Sequence, residues 1–67
     1  MHNFGIVTPT EWVGLSIDKA YEQANVRGFV GRIVEQDGRA FMVTMDLKPN
    51  RINFRVSNGT VTDVYTG

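Results

Sequence analysis

The apolar residues of this chain change their spacing at Gly28, and that change limits the folds open to it. Before Gly28 they fall at Ile17, Ala20, Tyr21 and Ala24. This is the i, i+3, i+4, i+7 pattern of one helix face. After it the spacing becomes two. In Arg51–Val56, Ile52, Phe54 and Val56 alternate with Arg51, Asn53 and Arg55, as on a strand with one apolar and one polar side. One helix followed by extended segments predicts an α+β domain, with the helix packed on one face of a small mixed sheet.

Local signals set the boundaries. Ser16 opens the helix, Asp18 lies in its first turn and Arg27 near its end, both suited to the helix dipole. Gly28 is a stop signal, so the helix is expected over Ile17–Val26. An earlier start at "TPTE" offers Thr8 as cap, Pro9 at the first helical position and Glu11 for a capping box, but Gly14 keeps that turn short. After the helix, "FVGRIVE" reads as a strand and Asp37-Gly38 as a turn. "AFMVTM" reads as an extended run, "RINFRV" as a strand, Asn58-Gly59 as a second hairpin turn and "VTDVY" as the last strand. Residues 1–7 read as a flexible arm, with Phe4, Ile6 and Val7 able to dock on the core. Residues 8–67 read as a single domain.

Size and composition narrow the chemistry. A chain of 67 residues buries only about 60% of the surface it exposes when unfolded, so one small core must stabilise it. There is no cysteine and one histidine, His2. Disulfides and the common Cys/His zinc sites are therefore excluded. Formal net charge is zero, which argues against bulk attraction to nucleic acid or an anionic membrane surface. No apolar run reaches the roughly 18 residues of a membrane span. The first residues lack a basic segment followed by an apolar one, so no secretory signal is read. The location expected is cytoplasmic, or exported with a leader removed.

Catalytic constellations are absent from the pattern. Ser16 and Ser57 read as a helix cap and a turn residue, and His2 lies in the arm, so no nucleophile–base pair is expected and the chain reads as a non-enzyme. Asp18 and Glu22 share one helix face at i, i+4 and read as solvated. Arg51 and Arg55 share a strand face, but Phe54 points the other way. An RNA-binding sheet would interleave the two. Trp12 reads as a core or lid residue over the helix. "VTMDLKPNRINF" by itself is a hairpin around Pro49-Asn50, with Met45 sharing an inward face with Phe41 and Val43.

The same residues in order suggest something else. Trp12, Val13-Gly14, the helix opened by Ser16, Val43-Thr44-Met45-Asp46, Arg51-Ile52-Asn53 and a closing "VTDVYTG" resemble the potato inhibitor I family of serine protease inhibitors, the barley chymotrypsin inhibitor and eglin type. The resemblance runs from about Thr10 to Gly67, and "RIN" looks most like the family's small bacterial and fungal members. It implies two parallel strands joined by an extended exposed loop, about residues 42–50, that enters a subtilisin- or chymotrypsin-like active site as a substrate would. Met45 would fill the primary specificity pocket, with Met45-Asp46 the scissile bond. Val43, Thr44, Asp46, Leu47 and Lys48 would complete the protease-binding loop.

By the same resemblance Arg51 would support the loop from beneath, bonding toward Thr44 and Asp46. The family's second supporting arginine is Asn53 here, with Arg55 on the same strand face as a substitute, about 7 Å further along. Asp37-Gly38 suggests that Ile33–Glu35 pairs with Ala40–Met42 ahead of the loop, and Pro49 stiffens the return. The partner expected is a serine protease, bound by a monomer without cofactor or metal, and with neither nucleic acid nor membrane involved. The alternative is a non-inhibitory binding or structural module of the same fold.

Overall fold

The structure, a computed structural model, describes residues 10–44 and 46–67. Arm residues 1–7, the Thr8 and Pro9 start signal and Met45 lie outside the described residues. A 3-10 turn at Thr10–Trp12 leads into α1 (Ile17–Val26), β1 (Val30–Gln36), β2 (Arg39–Ala40), β3 (Arg51–Ser57) and β4 (Thr60–Thr66). The four strands form one sheet in the order β2-β1-β3-β4. β1 and β3 are parallel, and the other two pairs are antiparallel. The domain is α+β, with one helix on one face of a mixed sheet.

The helix has the predicted limits because its ends are built locally. The Ser16 hydroxyl accepts from the Lys19 amide at 3.3 Å, satisfying one free donor of the first turn. At the other end the Phe29 amide donates to Ala24 O at 2.9 Å and the Gly28 amide to Asn25 O at 3.0 Å. This pair of bonds is the Schellman ending, with Gly28 in its left-handed position. Ala20 and Ala24 are fully buried against the sheet, and Ile17 and Tyr21 are half-buried beside them.

Ile52, Phe54 and Val56 of β3, with Val61 and Val64 of β4, carry the core beneath α1. Trp12 closes it at one end, fully buried and edge-on to Phe29 at 6.3 Å. Tyr21 lies edge-on to Phe54 at 5.4 Å. It can do so because β1 carries Gly31 there, where a Cβ would stand 2.4 Å from the Tyr21 ring. Both predicted two-residue turns form. Asp37-Gly38 and Asn58-Gly59 all have positive φ, the I′ geometry that matches the twist of paired strands.

The route from β1 to β3 shapes the rest. Val30 at the start of β1 pairs with Arg51 at the start of β3. The chain leaving Gln36 must therefore return the length of the strand, about 20 Å, before β3 begins. Parallel neighbours need a crossover of about a dozen residues or more, usually a helix. Among the described residues of 37–50, β2 is the only regular structure along this route.

The extended run and the hairpin ahead of the loop are both shorter than predicted. β2 stops at Ala40, pairing Glu35 with Ala40 and Gln36 with Arg39. One further bond, Phe41 N to Val34 O at 2.9 Å, ends the contact. Met42 is fully exposed, and all described residues from Phe41 to Asn50 are exposed. The hairpin reading of "VTMDLKPNRINF" does not hold. Pro49-Asn50 does turn, closed by Arg51 N to Lys48 O at 3.1 Å. But β3 is paired on both edges, by β1 and β4, and has no edge left for an antiparallel partner from residues 43–47.

Candidate functional site

The polar side of β3 faces away from α1, yet two of its three residues are buried. Arg51 is 8% exposed and Asn53 is 1% exposed, while Arg55 is open. Arg51 stands where the loop returns and where the final strand ends. Its Nη2 donates to Asp46 O at 2.7 Å and to Gly67 O at 2.8 Å, and its Nε to Gly67 O at 3.2 Å. The Asp46 carboxylate lies 3.6 Å from the same Nη2. The main chain around Gly67 is fixed in turn, since the Gly67 amide donates to Arg51 O at 3.1 Å and the Lys48 amide to Gly67 O at 3.4 Å. One guanidinium thus ties the loop after position 45 to β3 and to the end of β4, using several donors of its planar fork.

Asp46 is exposed, and its carboxyl is held below its ordinary range. The largest cause is a hydrogen bond from the Thr44 hydroxyl, followed by partial burial acting the other way and the charge of Arg51. Through Arg51, Asp46 is joined to the sheet.

Arg32 on β1 is the residue that sequence reasoning missed. It stands beside Asn53 in the parallel register. Its Nε donates to Asn53 Oδ1 at 2.8 Å and its Nη1 to Thr44 Oγ1 at 3.3 Å. Strand alternation in Val30–Gln36 puts Arg32 on the side opposite Gly31 and Ile33. Only knowledge that β1 and β3 are parallel neighbours would have brought it under the loop.

The described polar contacts of Arg55, the third residue expected to support the loop, are with neighbouring strands. Arg55 lies 3.5 Å from Glu35 and 3.7 Å from Asp63 in ion pairs, and its guanidinium stacks over Tyr65 at 5.9 Å. A register shift between Arg55 and Val56 falls at this point of the β3–β4 pair. Asn53, also expected under the loop, accepts at Oδ1 from Arg32, and its Nδ2 has no partner among the described residues. Leu47 is 84% exposed, Val43 is half-exposed and Lys48 is exposed. Among the described residues no group of three His, Asp or Glu side chains is placed to hold a metal ion.

The arrangement offers an exposed segment with apolar side chains at Met42, Val43 and Leu47, restrained from below by charged donors. No protein-family model matches this sequence, and neither a curated protein nor a solved structure matches it.

Proposed function

We propose that this protein inhibits subtilisin- or chymotrypsin-like serine proteases by presenting about residues 42–50 as a substrate-like segment. In this reading the domain is of the potato inhibitor I type and acts by binding, without catalysis of its own. Met45 fills the primary pocket, and Met45-Asp46 is the bond offered to the enzyme.

The observation that carries this reading is the pairing of exposure with restraint. The described loop residues are all open to solvent, yet Asp46 O is bonded at 2.7 Å to an arginine rooted in the sheet. Ordering a free backbone costs about 1–2 kcal/mol per residue. A segment already held in place avoids much of that cost when it binds. An exposed, unpaired backbone can add to an enzyme's strand edge, leaving side chains to set specificity. If the bond after Met45 is cut, Arg51 still holds the new amino end near its partner, which favours resealing over release. An unbranched apolar residue at the primary position suits an apolar pocket and disfavours proteases that require a cation there. Titration of subtilisin and of a chymotrypsin-like protease with the protein, beside its Met45→Gly variant, tests the proposal.

A further inference from the structure

We infer that Arg32 is the positioning residue for the Thr44 side of the loop, so that the loop is held by one arginine from each of two parallel strands. This rests on the reading of residues 42–50 as a substrate-like segment. It adds a residue which that reading does not contain.

Three observations carry it. Asn53, two positions after Arg51 on β3, is buried and makes no hydrogen bond to the described loop residues. Its Oδ1 instead accepts from Arg32 Nε at 2.8 Å. That bond fixes the guanidinium plane and leaves Nη1 aimed at Thr44 Oγ1, 3.3 Å away. Among the described residues Arg32 forms no ion pair with a carboxylate, whereas Arg27, Arg51 and Arg55 each do. Its donors go to two neutral acceptors that link β1 to β3 and β1 to the loop. Arg51 holds the residue after position 45 and Arg32 the residue before it. The parallel register places both arginines beneath the same short stretch, since Arg32 is level with Asn53 and two positions from Arg51.

The test is the rate at which catalytic amounts of subtilisin cut within residues 43–48, followed by mass spectrometry well below the melting temperature of each variant. Arg32→Ala is expected to be cut about tenfold faster, the equivalent of ~1.4 kcal/mol of lost restraint. Arg32→Ala with Asn53→Arg, which returns a guanidinium from β3, is expected to recover most of the resistance. Thr44→Val and Thr44→Val with Arg32→Ala are expected to be cut at the same rate, because the first change already removes the bond. A merely structural role for Arg32 would not give that non-additivity. Should Arg32→Ala fail to fold, Arg32→Lys keeps the charge and stem but cannot serve both acceptors. It is expected to be cut faster than wild type.

Equal cutting of wild type and the Arg32 variants, or independent effects of Arg32→Ala and Thr44→Val, would overturn the inference. Rapid cutting of the wild type itself would defeat the inhibitory reading instead. The ratio of Arg32→Ala to wild type would still report whether Arg32 holds the loop.

Discussion

Arg51 Nη2 lies 2.7 Å from the main-chain oxygen of Asp46 and 2.8 Å from that of Gly67. One side chain on the first residue of β3 therefore joins an exposed loop to the end of the last strand. Arg51 is 8% exposed, so these bonds are shielded from water as surface bonds are not.

Replacing Arg51 by Ala should affect the loop and the fold together. Hydrogen bonds from a charged donor contribute about 1.5–3 kcal/mol, and both Asp46 and Gly67 lose theirs. Urea denaturation should show a loss of about 2 kcal/mol. Prolonged incubation with subtilisin should cut Met45-Asp46 faster than in wild type. Unchanged cutting would remove Arg51 from the support of the loop.

Asp46 should titrate below the ordinary 3.8 of an aspartate. With its folded value depressed, its contribution is complete above the unfolded value and fades as pH falls through the folded one. Carbon-detected NMR of the carboxyl should therefore show no change from neutral pH down to about pH 5, and titration only in more acid solution. Because the Thr44 hydroxyl is the larger cause, Thr44→Val should raise the Asp46 value more than Arg51→Ala does. The reverse order would mean that the arginine dominates.

Gly31→Ala should destabilise the domain by about 1–3 kcal/mol, the usual cost of overpacking. The new Cβ would stand 2.4 Å from Tyr21 Cε1 and 3.0 Å from Phe54 Cε2. In a Tyr21→Ala background the main obstacle is gone, so the added cost of Gly31→Ala should shrink. Additive losses in denaturation would show that Tyr21 is not what the methyl group meets.

The parts of this fold that were legible in the sequence are those whose causes are local. Ser16, Gly28 and the apolar face between them specify α1 without help from the sheet. Asp37-Gly38 and Asn58-Gly59 specify turns that few other residue pairs can make. The run Phe41–Thr44 looked like a strand because its side chains suit one, yet a strand also needs a partner. The edge of β1 away from β3 stays open past Val34, but after Phe41 the chain leaves it toward Arg32 and Arg51, so the run stays outside the sheet. The polar side of "RINFRV" was legible as polar but not as buried, since its cover comes from Asp46 and Gly67, distant in sequence. Arg32 could not be placed for the same reason. Its neighbours Asn53 and Thr44 are set by a parallel crossover, which leaves no local mark.

The central claim is tested most directly by titrating a fixed amount of active subtilisin with the protein and reading residual activity. Near-stoichiometric loss of activity, mostly abolished by Met45→Gly, is the result predicted. Full activity of both subtilisin and a chymotrypsin-like protease at micromolar protein would contradict it.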